Sequence, residues 1–133
     1  MTNKRDFLST LWVFVTLNYL YCDLIGLMDS TLLKQYLTGT VEGLIINESF
    51  LLYAGIIMEI PIAMVLLSKI LTKNINCWAN IFAGAIKTIV MIATLFLGPV
   101  TMYYLFFAAI EITTTIFIVV YALKWLKQKE EFA

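Results

Sequence analysis

Three ionisable residues, Glu59, Lys87 and Glu111, lie near the centres of long apolar segments, and Asn18 lies at a comparable depth in a fourth. A charge at the centre of a bilayer costs roughly 2.5–3.5 kcal/mol even on the lenient insertion scale, so such groups normally face one another inside a bundle. One ammonium neutralises only one of two carboxylates, and a meeting of all three predicts a carboxyl that holds a proton. The pattern therefore favours proton binding at a buried polar site.

Four segments must position these residues, at 7–27, 50–71, 78–97 and 102–123. Each is long enough to cross a hydrocarbon core, which takes about 20 apolar residues. The chain has 133 residues, of which 62% are hydrophobic and 14% charged, whereas soluble domains are about 45–50% apolar and about 25% charged. We predict an all-α integral membrane protein with one four-span domain over residues 1–133. The first segment lacks a small-residue cleavage site, which favours a retained helix over a signal peptide.

Basic residues set the orientation of membrane helices. With four spans, both termini and the connection near residues 72–77 share one side of the membrane. Because cytoplasmic loops are enriched in lysine and arginine, we expect both termini in the cytoplasm. That side carries seven of the nine basic residues: Lys4, Arg5, Lys69, Lys73, Lys124, Lys127 and Lys129.

The first external loop contains signals for a short helix. Asp29 is a typical N-cap residue, and Gly39 is well placed to end the helix. An apolar stripe lies between them, which predicts a helix in the outer interface that partly caps the bundle. The alternative is an ordinary mobile loop. The stripe consists of Leu32, Leu33, Tyr36 and Leu37.

The remaining connections predict an up-down four-helix bundle. Thr40 is a candidate cap for a long second helix that starts near Val41. Gly98 and Pro99 are expected to end the third helix and open the fourth, so that these two helices form an antiparallel hairpin.

On the second segment, Glu48 and Glu59 share one helix face. Pro61 cannot donate a backbone hydrogen bond to the Ile57 carbonyl, so it is expected to kink the helix. A carboxylate beside a free carbonyl is typical of transporter sites. A packing kink with a structural carboxyl is an equally good interpretation.

The third and fourth segments carry polar stripes of their own. On the third, Asn80, Lys87 and Met91 occupy one face, and on the fourth Tyr104 and Glu111 share a face. Their antiparallel pairing brings the two charged residues to similar depth, which predicts a direct Lys87–Glu111 contact.

The sequence also predicts an outer vestibule. Asp23 lies roughly 9 Å from the membrane centre at 1.5 Å per residue. Together with Glu48 and Tyr104 it would line the mouth of the buried site. Simple hydration of Asp23 at the interface is the alternative.

Several kinds of chemistry lack their usual residues. The chain has no histidine, and its two cysteines, Cys22 and Cys77, are expected at opposite ends of the bundle. Thiol redox catalysis, haem ligation by histidine and classical zinc sites are therefore disfavoured. We predict no catalytic residue, no cofactor and no metal.

The sequence resembles, end to end in the order of its segments, an uncharacterised family of small four-helix bacterial membrane proteins that is DoxX-like in layout. The resemblance is carried by LSTLW at 8–12, NYLYCD at 18–23 and GLMD at 26–29. Glu59-Ile60-Pro61, Lys87 and Glu111 also match. The resemblance implies a bacterial inner-membrane protein of unknown activity and transfers no catalytic residue.

Three functions are compatible with these patterns. The first is binding or proton-coupled transport of a small organic or lipophilic ligand at a site formed by Glu59, Lys87, Glu111 and Asn18. The second is a structural or accessory subunit whose buried charges only set helix pairing. A membrane enzyme acting on a lipid-soluble substrate is the least favoured. The expected partners are the bilayer, a lipophilic ligand and, given the small size, a second copy in a homodimer, but not nucleic acid.

Overall fold

The computed structural model describes residues 3–41, 43–96 and 100–128. In this part of the chain the long helices are α1 (Lys4–Met28), α3 (Glu48–Ile70), α4 (Lys73–Thr94) and α5 (Met102–Lys127). All four are long and apolar enough to cross a membrane. This confirms the predicted all-α four-helix membrane bundle, and the chain is a multi-pass membrane protein. The Gly98–Pro99 turn lies outside the described residues.

Contacts at the two ends of the bundle show that the helices run alternately up and down. At one end the Arg5 Nε–H donates to the Leu71 carbonyl at 3.0 Å, which joins the start of α1 to the end of α3. At the other end the Tyr103 hydroxyl donates to the Asp29 carboxylate at 3.2 Å. We call these two ends of the bundle the termini end and the α2 end, after the short helix α2 (Ser30–Thr38) that follows α1.

The long helices form a ring in the order α1, α3, α4, α5. α4 and α5 pack most extensively, α1 contacts both α3 and α5, and α3 meets α4 along a shorter seam. Gly84 allows the close α4–α5 approach, because a Cβ there would lie 2.7 Å from Val119 Cγ2 and 3.2 Å from the Thr115 carbonyl oxygen.

A short helix follows α1, as predicted. α2 (Ser30–Thr38) begins after Asp29, whose side chain accepts a hydrogen bond from the Thr31 amide at 3.0 Å. It ends at Gly39, which has a φ of 83°, a left-handed conformation that glycine adopts without strain.

The predicted start of the second long helix near Val41 is wrong. Residues Thr40–Val41 (β1) pair antiparallel with Leu44–Ile45 (β2). α3 begins only at Glu48, after Asn47, whose side chain accepts from the Phe50 amide at 2.9 Å. Asn47 therefore provides the cap expected from Thr40, because the paired strands β1 and β2 precede the helix.

The core is concentrated near the termini end. The buried residues of α3 lie in its second half, from Pro61 onward. The first half of α3 is mostly half-buried or exposed, so the bundle is dense at one end and open at the other. The largest fully buried apolar side chains near the dense end are Leu8, Trp12, Val15 and Ile118.

Candidate functional site

Four buried polar side chains form a hydrogen-bonded group near the termini end. The Trp12 indole donates to Asn80 Oδ1 at 2.7 Å, and Asn80 Nδ2 donates to Asn76 Oδ1 at 2.6 Å. Asn76 Nδ2 donates to the Ser68 carbonyl at 2.7 Å, and the Ser68 hydroxyl donates to Asn80 Oδ1 at 3.4 Å. This amide network joins α1, α3 and α4, and its side chains satisfy one another.

The α2 half of the bundle encloses two adjoining cavities instead. One, of about 370 Å³, lies between the four long helices, and we call it the charged cavity. The other, of about 380 Å³, lies under α2, and we call it the outer cavity. Four residues line both: Leu44, Phe50, Thr94 and Tyr104. The charged cavity is also lined by Tyr19, Cys22, Asp23, Tyr53, Ala54, Ile57, Met58, Lys87, Val90, Met91 and Glu111.

Lys87 lines the charged cavity from α4 and is only 2% exposed. Its ammonium lies 4.2 Å from the centroid of the Tyr19 ring and 3.7 Å from Met58 Sδ. A cation over an aromatic face is stabilised by up to about 2 kcal/mol when desolvated. The Lys87 ammonium is therefore held by a π face and a thioether sulfur.

Glu111 lines the same cavity from α5 and is 1% exposed. Among residues 3–41, 43–96 and 100–128, neither of its carboxyl oxygens has a hydrogen-bond partner, nor does the buried Tyr19 hydroxyl. The cost of an unsatisfied buried polar group is about 1–3 kcal/mol, and more for a charged one. Glu111 therefore has hydrogen-bonding capacity that the described part of the protein does not use.

The predicted Lys87–Glu111 contact is wrong. Across the described ranges, the one side-chain ion pair within 4.0 Å joins Lys69 to Asp6 at 3.9 Å, between two exposed groups at the termini end. Lys87 and Glu111 interact electrostatically across the cavity, but the ammonium points to the Tyr19 ring.

Asp23 adds a second carboxyl to the charged cavity. Its side chain lines the wall while remaining exposed, and it interacts electrostatically with Lys87 and Glu111. Partial burial raises the pKa of Tyr36 on α2, and the negative charge of Asp23 acts in the same direction. Asp23 thus lies towards the α2 end of the cavity, where the vestibule was expected.

Tyr104 and Glu48 have different positions relative to the vestibule. Tyr104 lies in the wall between the two cavities, where its hydroxyl donates to Thr94 Oγ1 at 2.5 Å. Glu48 is exposed at the start of α3 and lines neither cavity.

The structure does not bring Glu59 and Asn18 to the site, which corrects the sequence-based expectation. Glu59 is exposed, and the Asn18 amide donates to the Phe14 carbonyl of its own helix at 2.8 Å. Because an α-helix turns about 100° per residue, the adjacent residues Met58 and Tyr19 face the cavity instead. The i, i+4 relation of Tyr19 to Asp23 was the available signal for the correct face of α1.

Pro61 is fully buried within α3, which continues as a helix on both sides of it. It lies at the boundary between the cavity-lining half of α3 and the densely packed half. Pro61, where the sequence predicts a kink, therefore lies between these two parts of α3 and does not line either cavity.

The arrangement offers acid-base and ionic chemistry. In the part of the chain that is described, no three histidine, cysteine or carboxylate side chains are grouped as a metal site. Cys22 and Cys77 are free thiols, both buried. The groups available to a bound molecule are therefore two carboxyls, one ammonium, a thiol and tyrosine hydroxyls.

Comparison with known proteins gives a family and no activity. Neither a curated protein nor a solved structure matches the chain significantly. One family model matches residues 1–133. The chain therefore belongs to the family of unknown function DUF6326.

Proposed function

We propose that the protein binds, and carries across the membrane, a small organic or lipophilic molecule in the charged cavity, with proton exchange at Glu111. The observation that carries this proposal is the Glu111 carboxyl, which is 1% exposed and lines a cavity of about 370 Å³. No described residue hydrogen-bonds to either of its oxygens. Lys87 and Glu111 remain from the set expected from the sequence, and Asp23 takes the place of Glu59 and Asn18.

The cavity suits a small ligand. Ligand pockets typically enclose about 300–1,000 Å³ and combine apolar walls with a few polar groups that fix orientation. Here Met58, Val90 and Met91 provide apolar wall. The polar groups lie among them, so a molecule with an apolar body and one polar end matches the lining.

Proton exchange follows from the surroundings of Glu111. A buried carboxylate without a donor is unfavourable, and either a proton or a donating ligand relieves the cost. A ligand that supplies a donor therefore competes with the proton. The titratable groups lining the same cavity are Tyr19, Cys22 and Asp23 on α1, Tyr53 on α3, Lys87 on α4 and Tyr104 on α5.

The setting that fits is a bacterial inner membrane with a DoxX-like helix layout and both termini in the cytoplasm. The predominance of basic residues at the termini end supports cytoplasmic termini. The bacterial membrane and the DoxX-like layout are what the resemblance in the sequence implies. In that orientation the charged cavity lies in the outer half of the membrane and the amide network in the inner half.

A purely structural role for Lys87 and Glu111 is less well supported. If these charges served only to pair α4 with α5, a direct contact would be expected, and no such ion pair forms within the described ranges. The amide network and the close α4–α5 contact at Gly84 pair the helices instead.

The experiment fills the cavity without changing a charge. Ala54→Phe places a ring in the charged cavity, whereas Ile56→Phe, two residues away on the exposed face, is the matched control. Each protein is purified in nanodiscs and its bound small molecules are extracted and identified by mass spectrometry. We expect a compound that is enriched with the wild type and the control and is lost with Ala54→Phe.

The proton step is measured with that compound. Its addition to the wild type in weak buffer should release protons, detected with a pH-sensitive dye, and Glu111→Gln should abolish the release. Identical extracts from the wild type, Ala54→Phe and Ile56→Phe would refute ligand binding. Unchanged proton release in Glu111→Gln would refute the role of this carboxyl.

A further inference from the structure

The charged cavity contains more acidic groups than basic groups. Glu111 and Asp23 line it as carboxyls, and Lys87 lines it as the single ammonium within the described residues. With all three ionised, one negative charge has no counter-charge. In this fully ionised state the imbalance favours a bound cation over a bound anion.

The unfilled hydrogen-bonding positions of Glu111 also favour a cation, whereas the unpaired Tyr19 hydroxyl can either donate or accept. Carboxylate oxygens are acceptors only, and no described residue donates to those of Glu111. A ligand must therefore bring N–H or O–H donors to this position. A charged donor makes the stronger bond, because hydrogen bonds between ions are roughly twice as strong as neutral ones.

The walls already hold one ammonium. Lys87 Nζ lies over the Tyr19 ring at 4.2 Å, next to the Met58 sulfur. Further aromatic rings, those of Phe50, Tyr53 and Tyr104, line the same cavity. Aromatic faces of this kind are a recurrent means of binding organic cations.

We propose that the ligand is an organic ammonium ion, a primary or secondary amine on an apolar body, whose N–H groups donate to the Glu111 carboxylate. The apolar body lies along Met58, Val90 and Met91, and Asp23 attracts the cation from the α2 end. This inference rests on the proposed function and names its ligand class.

Ligand entry then leaves the charge of the cavity unchanged. The ammonium ion enters with its own proton, and the Glu111 carboxylic acid releases its proton to water. One positive charge enters and one leaves, and no other bond is made or broken. An anion paired with Lys87 would instead have to pass the Asp23 carboxylate, which repels it.

Native Cys22 is a reporter of occupancy. It lines the charged cavity, while Cys77 is buried on α4 near the termini end. On a Cys77→Ser background in nanodiscs, the rate of Cys22 alkylation by N-ethylmaleimide is measured with three probes that share one apolar body. These are 4-phenylbutylamine, 4-phenylbutan-1-ol and 4-phenylbutanoic acid, which are cationic, neutral and anionic at neutral pH.

We expect the amine to halve the alkylation rate at a concentration at least about tenfold lower than the alcohol does, with the acid weakest. Glu111→Gln should reduce the advantage of the amine over the alcohol to within about threefold, and Asp23→Asn should reduce it less. Glu59→Gln, on the exposed face of α3, is the matched control and should preserve the full advantage.

Two results overturn the proposal. In one, the acid protects best and loses its effect in Lys87→Met, which makes the ligand an anion while the proposed binding function survives. In the other, the three probes protect equally or not at all, which rejects the ammonium ligand. The extraction experiment with Ala54→Phe and Ile56→Phe then decides separately whether the cavity binds anything.

Discussion

Near the termini end, Trp12, Asn76, Asn80 and Ser68 hydrogen-bond to one another across three helices, whereas in the α2 half no described residue hydrogen-bonds to the Glu111 carboxyl. Buried polar networks rigidify a fold when they are satisfied, and an unpaired buried group costs free energy. The comparison therefore separates polar residues that hold the helices together from polar residues whose partner comes from outside the chain.

The largest expected effect tests the satisfied half. Asn80→Ala removes the acceptor of the Trp12 indole and of the Ser68 hydroxyl, and should lower the free energy of unfolding by about 1–3 kcal/mol. The measurement is unfolding in mixed micelles followed by circular dichroism. Asn74→Ala, an exposed position near the start of α4, is the control; equal stability of the two variants would remove the distinction between the halves.

The next prediction compares helix packing at two glycines, Gly84 on α4 and Gly55 on α3. A Cβ at Gly84 would meet Val119 and the Thr115 backbone, so Gly84→Ala should cost about 1–3 kcal/mol through overpacking. Among the residues that the structure describes, a Cβ at Gly55 meets nothing within 4 Å. Gly55→Ala should therefore leave stability unchanged or raise it by up to about 1 kcal/mol. The same unfolding assay measures both, and a loss of similar size at Gly55 would contradict the open surroundings of this exposed glycine.

The smallest stability effect is expected at Glu111. Because no described residue hydrogen-bonds to its carboxyl, Glu111→Gln should change the free energy of unfolding by less than about 1 kcal/mol, with a gain as the favoured sign. The variant should at the same time lose proton release and amine preference. A loss of stability as large as that of Asn80→Ala would assign Glu111 to the scaffold and make the two halves alike.

Much of the fold follows from the sequence because length and composition decide it. Four apolar segments of sufficient length leave no alternative to four spans, and the Asp29 and Gly39 caps specify α2. The start of α3 was not predictable from Thr40 alone, since pairing of β1 with β2 competes with the helical alternative.

The buried face of a helix was predictable only where polar and apolar residues lie on different faces of that helix. α4 carries Asn80, Lys87 and Met91 on one face, and all three are buried as expected. α3 is apolar on nearly every side, so its pattern does not distinguish the face of Glu59 from that of Met58. Family membership over residues 1–133 agrees with the resemblance read from the first helix.

The shared wall around Tyr104 limits the size of the molecules that fit. The charged cavity and the outer cavity meet at this side chain, which is held by one hydrogen bond to Thr94. Movement of this side chain would widen the connection between the two cavities, whose walls also share Leu44, Phe50 and Thr94. A molecule longer than the charged cavity would then keep its head at Glu111 while its tail extended under the short helix.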